Sequence, residues 1–172
     1  MAPDPAVLTM PIAAIGYTSG HAVEPLLHEL AAALDARGVR WCGLLQGTRC
    51  AATPFAPLTL WPGGERLDYQ DTRPGIGGCR LDADALARAG QALRTRIAEH
   101  TPRLVLFNKF GEQEARGDGL RDEMAAVVSA GLPLLTAVAT RWQAEWDTFT
   151  GGAGVLLPAD LDAALAWCDS LA

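Results

Sequence analysis

Two short stretches hold the residue types that could do chemistry. One is Gly16-Tyr17-Thr18-Ser19-Gly20-His21, and the other is Asn108-Lys109 with Glu112 and Glu114 just beyond it. Glycines let a backbone curl so that several amide N–H groups converge on one anion, and Thr, Ser and His add side-chain donors. Asn108 and Lys109 offer an amide and a cation, while Glu114 is a carboxylate able to act as a base. The chemistry within reach is therefore the binding of a negatively charged group. A carboxylate-assisted reaction is the alternative.

These stretches need positioning, and the flanking pattern supplies it. Residues 11–16 read as a buried strand running into the first stretch, and residues 23–37 as the helix after it. In that helix Leu26, Leu27, Leu30 and Leu34 share one face, Pro25 suits the first turn, and Gly38 suits the stop. Residues 104–107 (Leu-Val-Leu-Phe) are wholly apolar, as in a strand buried on both faces, and they place Asn108 and Lys109 at its carboxyl end. Ligands of open α/β sheets sit at that end, and free amides at a following helix start favour an anion. The remaining elements are a strand at 39–45, a β-hairpin of 55–61 and 65–69 around Pro62-Gly63-Gly64, and a helix from Leu81-Asp82 to about 99 with Asp82 as its cap. A polar loop then leads to a helix at 120–130, followed by a strand at 133–139, a helix at 140–149, a strand at 155–157, and a helix at 161–171 capped by Asp160. The β-α-β rhythm predicts a three-layer α/β fold: a mostly parallel sheet with helices on both faces, plus the hairpin insertion. Residues 1–9 read as a flexible leader and 10–172 as a single domain.

Bulk properties narrow the function classes. The chain has 172 residues, 49% of them hydrophobic and 20% charged, enough for a real core. A net charge of -6 argues against non-specific nucleic-acid binding. No apolar run is long enough to span a membrane, and the first ten residues lack a basic start and long apolar stretch, so a cytoplasmic location is expected. Cys42, Cys50, Cys79 and Cys168 match no zinc spacing and read as reduced thiols, with Cys79 set apart by its Gly-rich loop, 71–79. No metal site is assigned.

The first stretch can be set against the phosphate-loop pattern GxxxxGK[ST]. Gly16 and Gly20 have three residues between them rather than four, and His21 and Ala22 stand where Lys and Ser/Thr belong. In order, nevertheless, the chain resembles the cancer-related nucleoside-triphosphatase branch of P-loop NTPases over about residues 11–140. The matching segments are the Gly16 loop, Gly43-Leu-Leu-Gln46 with the hairpin, Leu81-Asp82, Leu106 through Glu114, and Gly131 through Val138. That resemblance implies a P-loop fold in which an Asp orders Mg²⁺ and the Glu beside it helps activate water. Here those positions are Asn108 and Lys109, and only Gly111 and Glu114 keep the motif. Asn lacks the charge Mg²⁺ draws from a carboxylate, and Lys inverts the local sign.

The chain also looks like a bacterial family of unknown function often found beside molybdate-transport genes. Gly78-Cys79-Arg80-Leu81-Asp82, Asn108 through Glu114 and Gly117 through Glu123 carry that likeness, which implies a link to molybdenum or another oxyanion. The resulting expectation is an anion-binding accessory protein on a degenerate P-loop fold. Its ligand is a small anion, molybdate or tungstate or a nucleotide phosphate, held by residues 16–21, Asn108 and Lys109, with Cys79-Arg80 as a lid and Arg121 facing the pocket. A divergent triphosphatase using Glu114 and a non-catalytic scaffold are the rivals. Plainer roles stand beside these: Lys109 solvated, Glu114 capping a turn or Arg116, Arg121 pairing with Glu123, His28 and His100 on the surface, and Trp142, Trp146 and Trp167 in the core. A Trp142/Trp146 face, if exposed, would make a homo-oligomer patch.

Overall fold

The computed structural model describes residues 11–18, 21–47, 57–67 and 83–171. Among the described residues, seven strands form one sheet in the order β4-β3-β2-β5-β6-β1-β7. They are β1 (Ile12–Tyr17), β2 (Trp41–Gln46), β3 (Leu58–Trp61), β4 (Glu65–Leu67), β5 (Leu104–Phe107), β6 (Leu134–Ala139) and β7 (Val155–Leu157). β1 runs parallel to β6 and β7, β5 runs parallel to β2 and β6, and among the described residues only the β2-β3-β4 meander is antiparallel. The helices are α1 (Glu24–Ala36), α2 (Ala83–His100), α3 (Glu112–Ala115), α4 (Arg121–Ser129), α5 (Gln143–Thr150), led in by a 3-10 turn at Thr140–Trp142, and α6 (Leu161–Asp169).

Side-chain alternation along the strands makes two cores. Ala13 and Ile15 of β1 join Leu27, Leu30 and Leu34 of α1 and Leu165 of α6 on one face. Ile12 and Ala14 join Leu93 of α2, Met124 of α4 and Trp146 of α5 on the other. Both faces of β5 and β6 are covered, so these strands read as unbroken apolar runs rather than alternating ones. The expected three-layer, mostly parallel architecture with a hairpin insertion is the observed one.

Several local expectations are corrected. β1 extends past Gly16 to Tyr17, because Tyr17 still pairs in register with Ala139. β2 starts at Trp41, two residues late, since Val39 N is still held by Leu34 O in the turn after α1. The polar loop after β5 contains α3, a single helical turn. The Trp142/Trp146 face is not an exposed patch: Trp146 is fully buried, edge-on to Phe110 at 5.5 Å, and Trp142 packs against the same core. His28, expected on the surface, is half-buried with Nε2 2.6 Å from Gln46 O. Asp160 does cap α6, accepting from Ala163 N at 3.0 Å. The leader at 1–9, the hairpin ends at 55–56 and 68–69, the loop at 71–79, the Asp82 cap and Cys50 lie outside the described residues.

Candidate functional site

The carboxyl ends of the parallel strands meet the candidate residues at one edge of the sheet. β1 delivers Gly16, Tyr17 and Thr18, and α1 begins at Glu24. Across the turn between them, Thr18 Oγ1 lies 2.7 Å from His21 Nδ1, and His21 N donates to Thr18 O. Both side chains are exposed. Val23 precedes α1 without a capping side chain, so the helix's first amides are not taken up by a side-chain cap. Gly16 sits against Leu156 of β7; a Cβ there would come 3.2 Å from Leu156 Cδ1, so a side chain would crowd the exit. Ser19 and Gly20 lie outside the described residues, as do Cys79 and Arg80.

A cavity of about 470 Å³ opens beside this turn. Gly16, Tyr17, Thr18 and His21 line one side, and Val138, Thr140, Gln143, Leu156, Leu157 and Pro158 line the other. Thr140 Oγ1 donates to Tyr17 O at 3.2 Å, tying the exits of β6 and β1 together. Asn108 and Lys109 do not line this cavity.

The exit of β5 is built differently. Asn108 is buried, with Oδ1 accepting from Gln46 N at 2.9 Å and Nδ2 3.4 Å from Gln46 Oε1. It therefore staples β5 to the end of β2. Phe110 rejoins the sheet through Ala137 O at 2.8 Å, which turns the intervening Lys109 outward. Lys109 Nζ reaches Glu24 Oε1 of α1 at 3.4 Å, so this cation does lean towards the β1–α1 turn. Glu114 is buried, and both carboxylate oxygens are engaged: Oε2 by Gly111 N at 3.0 Å and Oε1 by Leu120 N at 3.1 Å. Gly119 has φ +62°, and a Cβ there would come 2.4 Å from Glu114 Oε1, so this loop conformation needs glycine. Arg121 Nη1 donates to Glu114 O at 3.1 Å, and its guanidinium lies 5.2 Å from the Phe149 ring centroid. The expected Arg121–Glu123 pair is replaced by Arg94–Glu123 at 3.1 Å, and Arg116 pairs with Glu112 at 2.6 Å rather than with Glu114.

Sequence reasoning missed Glu24 and Arg141. Both act on the Tyr17 phenol, whose pKa is raised from its ordinary value mainly by burial and further by the Glu24 charge, with Arg141 pulling the other way. The signal for Arg141 was its place: Thr140-Arg141 follows the buried strand lying between β1 and β5.

The resemblance to P-loop proteins implies Mg²⁺, and the donors at the positions it points to do not suit that ion. Asn108 Oδ1 and both Glu114 oxygens already hold backbone amides, and Lys109 brings positive charge to the same exit. Among the described residues no group of three or more His, Cys, Asp or Glu could hold a metal ion. No helix among them is long and apolar enough to cross a membrane.

Strand order and the helices on both faces define a three-layer α/β protein whose fold is P-loop NTPase-like. The fold matches the solution structure of a human cancer-related nucleoside triphosphatase with a TM-score of 0.69, covering 92% of this chain and 97% of that one at 11% identity. The chain belongs to the family described as "Protein of unknown function (DUF2478)", which it matches over residues 12–167. It is also 37% identical over 161 residues to "Molybdenum import ATP-binding protein ModC 2" of Bradyrhizobium diazoefficiens. That match takes in 91% of this chain but only 18% of the relative's length.

Proposed function

We propose that this protein is a cytoplasmic accessory protein that binds an oxyanion at the β1–α1 turn and serves molybdenum metabolism. The observation that carries the reading is the contrast between its two strand exits. The β1 exit keeps exposed donors, Thr18 and His21, at an uncapped helix start. The β5 exit has spent Asn108 on Gln46 of β2 and Glu114 on amides of its own loop. At the two positions the resemblance points to, an amide and an amine replace the carboxylates, so metal-assisted phosphoryl transfer lacks its usual metal ligand and base there. A tetrahedral dianion needs neither: converging N–H and O–H donors with a nearby Lys109 suffice. The relative's printed name, a molybdenum import ATP-binding protein, supports a link to molybdenum import, and the ATP it names supports the second reading below.

A second reading has its own support. The cavity beside the turn, about 470 Å³ and partly apolar, is of the size that holds a small organic ligand. On that reading the anion is the phosphate of a nucleotide, and Glu114, if it acts at all, acts by leaving its amide partners. Calorimetric titration with molybdate, tungstate, sulfate and ATP, beside a phosphate-release assay with Mg²⁺, separates the cases. Heat with molybdate and no phosphate release supports the first. Phosphate release that is lost in Glu114→Gln supports a divergent triphosphatase. No heat with any anion removes both and leaves a non-catalytic scaffold.

A further inference from the structure

We propose that strand β7 is a self-association edge: two copies of this chain pair β7 with β7, antiparallel and centred on Leu156, so that one sheet runs through both. The sheet ends in two edges, β4 and β7, and they are finished differently. β4 carries Glu65 and Arg66, both exposed, and charges of this kind deter a further strand. β7 carries Val155, Leu156 and Leu157, and residues 151–159 hold no charged side chain in a chain of net charge -6. Among the described residues, Val155 and Leu156 are the large apolar side chains left exposed, each at 44%. Adjacent residues of a strand point to opposite faces, so this edge offers apolar surface on both. The usual devices that blunt an edge, a lysine, an internal proline or an inward-pointing charge, are missing from β7.

The same features favour a second copy as the occupant. A two-fold axis perpendicular to the sheet makes the joined strands antiparallel and sets the same segment of each copy against itself. With Leu156 at the centre, Leu156 meets Leu156 on one face, and Val155 meets Leu157 on the other. The pairing with β1 fixes which face is which. Leu156 stands beside Ala14, on the side covered by α2, α4 and α5, while Val155 and Leu157 stand beside Ala13 and Ile15, on the side covered by α1 and α6. Like charges directly opposite one another are destabilising, so a strand carrying one sign of charge pairs poorly with its own copy. An acidic protein is best joined to itself along a neutral stretch, and residues 151–159 are one. Pro158 has no N–H to donate, so it ends the ladder and limits slippage of its register. The Trp142/Trp146 face expected to make such a contact is taken up by the core, and β7 provides it instead. Leu156 also lines the cavity beside the β1 exit, so the seam runs along that cavity's wall.

The test is sedimentation of the full chain over a concentration series from micromolar to submillimolar. The wild type is expected to pass from monomer to dimer. Leu156→Lys and Leu156→Glu each face their own copy across the seam, and each is expected to weaken the dimer by about tenfold or more. Mixed together, the two variants set Lys against Glu and are expected to recover a dimer. Arg66→Glu, at the β4 edge, is expected to leave the wild-type dimer unchanged. Circular dichroism confirms that each variant is folded. A second measurement needs no variant: amide exchange at Val155–Leu157 in the wild type is expected to slow as concentration rises. A wild type that stays monomeric, with exchange there independent of concentration, overturns the proposal and leaves the edge to a different chain. A dimer that survives both Leu156 variants puts the seam elsewhere and overturns it as well. A mixture that fails to reassociate overturns the pairing centred on Leu156.

Discussion

The turn after β1 and the loop after β5 leave the same edge of the same sheet, yet they differ in what their polar groups touch. After β5 the partners are internal: Asn108 to Gln46, Glu114 to Gly111 and Leu120, Arg121 to Glu114 O. After β1 the described contacts are a Thr18–His21 pair in the open and a bond from Thr140 to Tyr17 O. Polar residues at a strand's carboxyl end therefore divide into two kinds. Some are consumed in holding a loop's shape, and some remain for a ligand. Burial separates them better than residue type does.

The sharpest attack on this comparison is Glu114→Ala. Two backbone amides would lose a charged acceptor in a buried place, so unfolding free energy should fall by about 3 kcal/mol. Denaturant titration reads this as a lower midpoint at unchanged slope. Full stability with lost ligand binding would move Glu114 to the other kind. Asn108→Ala should lose less, about 1–2 kcal/mol, because Gln46 N is the main group left unsatisfied.

Across the sheet the pattern should reverse. Thr18→Ala and His21→Ala remove exposed groups, and each should change stability by no more than about 0.5 kcal/mol. Molybdate affinity in the same variants should drop by about fivefold, the worth of one hydrogen bond. A smaller effect concerns Tyr17. Its raised pKa means that the folded state favours the protonated phenol; that stability is complete below the ordinary value of 10.0 and is lost as pH rises through the folded value. Glu24→Gln should bring the Tyr17 titration down, followed by ultraviolet absorbance in a Tyr69→Phe background that leaves one tyrosine. Smallest of all, burial pushes the Cys42 and Cys168 thiols up to about 11, so alkylation at pH 8 should pass them by.

Much of the fold is legible in local pattern. The run 104–107 and the run 155–157 predict β5 and β7 to the residue, because polar, glycine or proline neighbours bound each apolar stretch. β1 escapes by one residue, since only its pairing with β6 shows that Tyr17 is still strand. α3 escapes altogether. Its four residues are too few for periodicity, and it exists because Glu114 folds back onto Gly111 N. The site is less legible than the fold for the same reason. The types of Asn108 and Glu114 suggest ligands; their partners, Gln46 and Leu120, come from backbone geometry that no spacing announces. Glu24 looks like an ordinary first-turn acid until Lys109 is seen beside it.

Strand β6 is wedged between β1 and β5. Neighbouring strands sit about 4.8 Å apart, so the two exits stand about 10 Å from each other. Lys109 crosses that gap on a four-carbon tether to reach Glu24. Reach and sign are thus separate variables at this edge. An amine on a shorter stem at position 109 would keep its charge and be stranded over β6, out of range of whatever the first turn holds.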